Sequence, residues 1–332
     1  MVQVVSSASY DAARRRAAFI DRSDRGRIVV SGKDRASYLQ GLLTNDVEAL
    51  KAGEGCYAAY LTAQGRMIAD LWVYELGDVM LLTVSADVKD LVLTRLDQFI
   101  FGEDVQLGDV STKYAQIGVI GPRASSVVAG IVESVPPDVM ESLPDHGNLR
   151  VDHDGQPVII TRIVDAGERG FDVFVERERI EPLMTKLRKL EVAELDEQTA
   201  DAIRVEGGVP RFHRDMDEET IPLEAGIEST AISMTKGCYV GQEVIVRVLH
   251  RGHGRVVRKL VGLTFENSAR VAAPGGVVRA DTRDVGHVTS ACFSPALQRP
   301  IALAYVHRDF IEPGTVVSVD ESTAEVTKLP FV

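Results

Sequence analysis

Eight consecutive residues concentrate the reactive side chains of this sequence: Lys236, Gly237, Cys238, Tyr239, Val240, Gly241, Gln242 and Glu243. A lysine ammonium close to a cysteine favours the thiolate, which would make Cys238 a nucleophile or a soft metal ligand. Gly237 and Gly241 would let the backbone turn tightly and approach a ligand. The competing reading is a buried, inert cysteine in a tight turn. Asp70 is a second candidate, because it interrupts the apolar run Met67-Ile68-Ala69-Asp70-Leu71. A carboxylate there is costly unless it has a partner, a ligand or an outward face. Tyr57, Tyr60, Trp72 and Tyr74 can stack on a ligand ring or fill a core, and Tyr57 is the one we favour for stacking.

Positive charge gathers in one place. Residues 244–265 contain no acid but carry Arg247, Arg251, Arg255, Arg258 and Lys259 with His250 and His253. This is an anion site, or a solvated face balancing Asp215, Asp217, Glu218 and Glu219. If 242–249 is helical, Glu243 and Arg247 lie four apart and can pair with each other. The two histidines are interleaved with glycines and have no third ligand nearby, so no metal is expected. Three dispersed cysteines, Cys56, Cys238 and Cys292, supply neither a disulfide framework nor a CxxC pair. Glycine-rich phosphate loops are absent.

The elements that must position these residues fall into three parts. A length of 332 residues is enough for more than one core. A net charge of −12 disfavours nucleic acid and anionic membranes as partners. No secretory signal or membrane-spanning run is expected, which suggests the cytoplasm. The first part has strands over 27–30, 57–61, 67–75 and 79–85 and helices over 35–43 and 86–99, the first of these opened by a capping box at Ser31-Gly32-Lys33-Asp34. From 113 the pattern restarts as strand 115–120, helix 123–132, strands 157–164 and 170–175 and helix 178–190, with 135–154 as an exposed connection. That order suggests a ferredoxin-like unit. A helix over 197–206 leads into an irregular, glycine-bearing stretch, 207–241, of the kind that often carries function. Beyond it, strands over 259–265, 276–279, 285–290, 301–306 and 316–319 read as a small barrel. The fold class is therefore α+β, divided as 1–112 with 191–256, then 113–190, then 257–332.

The segment at 236–243 resembles the K-G-C-Y-x-G-Q-E signature of the YgfZ family, folate-binding relatives of the glycine-cleavage T-protein, an aminomethyltransferase. The likeness extends along nearly the whole chain. Ser31-Gly32-Lys33-Asp34-Arg35 and Tyr38-Leu39-Gln40-Gly41-Leu42-Leu43-Thr44-Asn45-Asp46 are similar to that superfamily's "SGxDR…FLQxLLTND" pattern. Arg204-Val205-Glu206-Gly207-Gly208-Val209-Pro210 and Pro222-Leu223-Glu224-Ala225-Gly226 look like its approach to the signature.

The resemblance implies a GcvT/YgfZ-like fold around a central opening that holds tetrahydrofolate. It also implies an accessory role in iron–sulfur cluster assembly or repair, with client or assembly proteins as partners. Cys238 would then be the reactive group and Lys236 would tune its thiolate. Glu206 would accept two hydrogens from the pterin edge, and Asp70, Tyr57 and Asn45 would complete the folate site. Arg247 and its basic neighbours would take a polyglutamate tail. In the T-protein branch a "GGxxDD" segment serves the reaction. Here Gln64-Gly65-Arg66-Met67-Ile68-Ala69-Asp70 keeps only the second aspartate, as Asp70. Two alternatives stand beside this reading: folate-dependent one-carbon transfer, with Asp70 orienting the accepting nitrogen, and an interaction module without ligand.

Overall fold

The computed structural model describes residues 7–251, 255–266 and 270–332, with side chains at Ser7, His250 and Arg251 left out. The expectations for His250 and His253 and part of the basic run thus lie outside what is described. Two sheets and a barrel form the framework. The first sheet is antiparallel, in the order Gly55–Leu61, Met67–Glu75, Met80–Val84, Gly26–Ser31 and Gln106–Asp109. Every residue of Met67–Glu75 is buried, Asp70 included. The helices Arg35–Leu42 and Lys89–Asp97 supply Leu39, Leu42, Val92 and Leu96 to this core. The irregular stretch after residue 207 returns to it as well, burying Phe212, Met216, Leu223 and Ile232.

The capping box does not form. Asp34 stands at the N-cap of Arg35–Leu42, but its carboxylate accepts the Asp104 N–H at 2.9 Å from the neighbouring loop instead of capping its own helix.

The second sheet runs Ala193–Glu194, Ala18–Asp21, Tyr114–Ile120, Gly170–Glu176, Gln156–Ile163 and Asn148–His153. It is a ferredoxin-like ladder into which Ala18–Asp21 is inserted, pairing parallel with one edge strand and antiparallel with Tyr114–Ile120. The division that assigned residues 18–21 and 193–194 to the first part is therefore corrected: both strands hydrogen-bond within the second sheet. Residues 135–154 are also not a bare connection. Pro137 opens the short helix Pro137–Glu141, and Asp154 and Gly155, both at positive φ, turn Asn148–His153 into Gln156–Ile163 as a tight hairpin.

The C-terminal strands close a six-stranded barrel ordered Arg258–Phe265, Arg299–His307, Arg283–Ser294, Val277–Ala280, Val316–Val319 and Ser322–Thr327. Helix Glu197–Glu206 joins the barrel to the sheets. Asp196 caps it by accepting the Thr199 N–H. From its last turn, Arg204 donates to Asp201 at 2.8 Å, to Asp215 at 2.8 Å and to the Ser290 hydroxyl of the barrel at 2.8 Å. Thr289 donates to the other Asp215 oxygen at 2.5 Å. Asp215 is only 1% exposed, so its charge depends on Arg204. Arg204→Met should cost about 3–5 kcal/mol by stranding that buried carboxylate. Urea unfolding measures this, and a loss under about 1 kcal/mol would contradict the role of Arg204 as the joint.

Candidate active site

The two sheets and the segment that joins them to the barrel meet around a cavity of about 380 Å³, within the range of small-molecule sites. Its wall takes Asp70 and Trp72 from the first sheet, Arg22 and Arg25 from the turn after Ala18–Asp21, Asp165 from the second sheet's loop, and Arg204 and residues 209–212 from the joint.

Asp70 is 4% exposed and accepts a hydrogen bond from the Tyr57 hydroxyl at 2.8 Å. Burial pushes its carboxyl up to about 6, and the Tyr57 hydrogen bond holds it back from rising further. Tyr57 itself packs against Trp72 with ring centroids 5.1 Å apart, and the Arg25 guanidinium covers Trp72 at 4.3 Å. Arg25 and Arg22 both pair with Asp165, at 2.8 and 2.5 Å, and Arg22 also reaches the buried Asp172 at 3.2 Å. The wall at 209–212 is held by a charged clamp: the His213 ring contacts Asp87 through Nδ1 and Glu218 through Nε2, the latter at 2.9 Å. The two carboxylates raise the pKa of His213 against a desolvation that lowers it.

The other predicted site residues lie elsewhere. Tyr57 stands behind Asp70 and not on the cavity wall, so it holds the carboxylate instead of stacking on a ligand. Asn45 donates to the Tyr57 and Thr230 carbonyls at 2.8 and 3.0 Å and ties strand Gly55–Leu61 to the short helix Glu228–Ala231. Glu206 is sealed. One oxygen accepts from Ser294 and the Ala296 N–H, the other from Tyr10 at 2.6 Å and Arg14 at 2.5 Å. With four donors in place it has no lone pair for a pterin edge, which corrects its assignment. Arg247 is exposed at the start of the π-helical segment Arg247–Arg251 that continues Gln242–Val246, off the cavity wall, and forms no ion pair with Glu243.

The residues at 236–243 form a separate surface feature. Cys238 is exposed. Lys236 points away from it and donates to the Gln40, Leu43 and Asn45 carbonyls at 2.6, 2.6 and 2.9 Å. The ammonium thus closes the C-terminal end of helix Arg35–Leu42, where unpaired carbonyls favour a cation. Burial lowers its pKa to about 8. The thiol that feels this charge is the buried Cys56, which burial nonetheless drives up to about 12. The expectation that Lys236 tunes Cys238 is corrected accordingly. Tyr239 is buried under Lys236, and Gln242 and Glu243 open the short helix Gln242–Val246. Gly241 is at φ +86, and a Cβ there would lie 2.5 Å from the Thr62 carbonyl. Gly237 faces open space and is not required by any turn.

Two sheets that share a cavity with a desolvated carboxylate in its wall, followed by a closed six-stranded barrel, define an α+β protein of the T-protein type. The sequence matches the GCVT N-terminal domain over residues 2–236 and the glycine cleavage T-protein C-terminal barrel domain over residues 258–332, and the chain belongs to this family. It is 31% identical to an aminomethyltransferase of Rubrobacter xylanophilus over 98% of this chain and 85% of that protein. It is likewise 31% identical to an aminomethyltransferase of a Nostoc species, over 97% of this chain and 86% of that one. Its fold is that of the glycine cleavage system aminomethyltransferase T from Bartonella henselae, with a TM-score of 0.87, 24% identity, and coverage of 98% of this chain and 89% of that one. The family uses tetrahydrofolate. These relatives bear the aminomethyltransferase name, whereas the likeness to the YgfZ branch rests on the signature at 236–243. No described helix is long and apolar enough to cross a membrane.

Asp70 sets a pH dependence. Its folded pKa lies above the ordinary carboxylate value, so its contribution to stability is fully present below about pH 4 and is lost as pH rises through 6. Asp70→Asn should stabilise the fold by about 1–3 kcal/mol at pH 7.5, and the gain should vanish near pH 4. Urea unfolding at the two pH values checks this, and equal effects at both would contradict it.

Proposed function

We propose that the Asp70 cavity takes a reduced folate and that the protein is a folate-dependent one-carbon transferase of the aminomethyltransferase kind. The observation that carries this reading is a carboxylate, nearly sealed from water, in the wall of a cavity of ligand size. Such a group accepts N–H bonds from a pterin edge or orients a folate nitrogen strongly, because little water competes with it. Tyr57 fixes its direction from behind, and Arg25 with Trp72 stiffens the wall beside it. The bound folate would supply the nitrogens that carry the one-carbon unit. Holding Asp70 ionised near neutral pH, yet close to its own pKa, suits it to give and take a proton there.

A second reading has its own observation. Cys238 is an exposed thiol on a loop outside the cavity, anchored by Lys236 and by the tight seat of Gly241. That presentation favours the accessory role in iron–sulfur enzyme assembly, with the thiol offered to a partner protein. One assay separates the two readings: formation of methylene-tetrahydrofolate from an aminomethyl-lipoyl carrier. Transfer should be present in the parent and in Cys238→Ala, and fall at least about 100-fold in Asp70→Asn. Folate binding without transfer, together with loss of iron–sulfur enzyme activity in cells carrying Cys238→Ala, would replace the first reading with the second.

A further inference from the structure

Four arginines reach the cavity wall: Arg22, Arg25, Arg204 and Arg211. Three are spent. Arg22 and Arg25 are paired with Asp165, and Arg204 with Asp201 and Asp215. The Arg211 guanidinium makes no hydrogen bond or ion pair among the described residues, and the residue is exposed at the cavity's edge. Its backbone, by contrast, is firmly held. The Arg211 N–H donates to Asp215 at 3.1 Å, the Arg211 carbonyl accepts from Asp215 at 2.7 Å, and the loop is clamped two residues further on by His213 between Asp87 and Glu218. Elsewhere the wall is acidic, and Asp24 and Glu197 also make no ion pair among the described residues. The cavity wall therefore offers carboxylates for a ring rich in N–H donors and, among the described residues, a single uncommitted cation for an anionic group.

We infer that Arg211 binds the carboxylate of the ligand's glutamate tail and so selects folates over bare pterins. This inference rests on the folate reading of the cavity. It moves the anion contact from Arg247, which lies off the wall, to a guanidinium that is on it. A guanidinium and a carboxylate pair through two parallel hydrogen bonds, and a planar fork on a fixed loop loses little entropy in doing so.

The test is calorimetric titration of the parent, Arg211→Gln and Arg211→Lys with two probes: 5-formyltetrahydrofolate, and 6-methyltetrahydropterin, which keeps the reduced ring but lacks the tail. Arg211→Gln should weaken folate binding by about 10- to 100-fold and leave pterin binding within about twofold of the parent. Arg211→Lys should fall between, keeping the charge but not the fork. Unchanged folate affinity in Arg211→Gln, or an equal loss for both probes, overturns the inference while the folate reading stands. Failure of the parent to bind either probe overturns the folate reading and the inference with it.

Discussion

Desolvation of one carboxylate constrains the rest of the site. Asp70 sits in the middle of a strand whose nine residues are all buried. Left alone there, its charge would shift to the protonated form or destabilise the fold. The surrounding structure offsets this in part: Tyr57 donates a hydrogen bond, and Arg211 adds a favourable charge at longer range. Asp165 nearby opposes ionisation, but its own charge is taken up by Arg22 and Arg25. The outcome is a carboxyl held up at about 6 that faces a cavity built from both sheets and the segment joining them to the barrel.

The cavity and the signature segment are two distinct devices. Lys236, Tyr239 and Gly241 fasten the 236–243 loop to helix Arg35–Leu42 and to the turn at Thr62–Gly65 that links strands Gly55–Leu61 and Met67–Glu75, and none of 236–243 lines the Asp70 cavity. What the loop presents is Cys238. A charge that the sequence places two residues from the thiol is directed by folding to three backbone carbonyls instead. Nearness in sequence does not fix which group a lysine serves, because its long flexible stem lets the ammonium reach whatever unpaired acceptors the fold provides.

The parts of the fold that are legible in the sequence carry local signals. Helix Glu197–Glu206 is read end to end because Asp196 caps it and Gly207 follows it. The barrel strands alternate between turns, though Ser322–Thr327 escapes notice because its residues are mostly polar. The Asp154-Gly155 hairpin did carry a signal, a dipeptide suited to two positive φ angles, and the proline-rich stretch before it masks that signal. Ala18–Asp21 has none: four residues gain their strand character only by wedging between two distant strands. In the site, the need of Asp70 for a partner is legible from its apolar neighbours. The saturation of Glu206 is not, since Tyr10, Arg14 and Ser294 come from opposite ends of the chain. Nor is Arg211, whose importance depends on the other wall arginines being paired.

A crystal structure of the protein with 5-formyltetrahydrofolate tests the placement of the site most directly. The ring should lie in the central cavity within hydrogen-bonding distance of Asp70, with its tail carboxylate against Arg211. Ligand bound instead at the Cys238 loop or on the barrel surface, with the Asp70 cavity filled only by water, would contradict it.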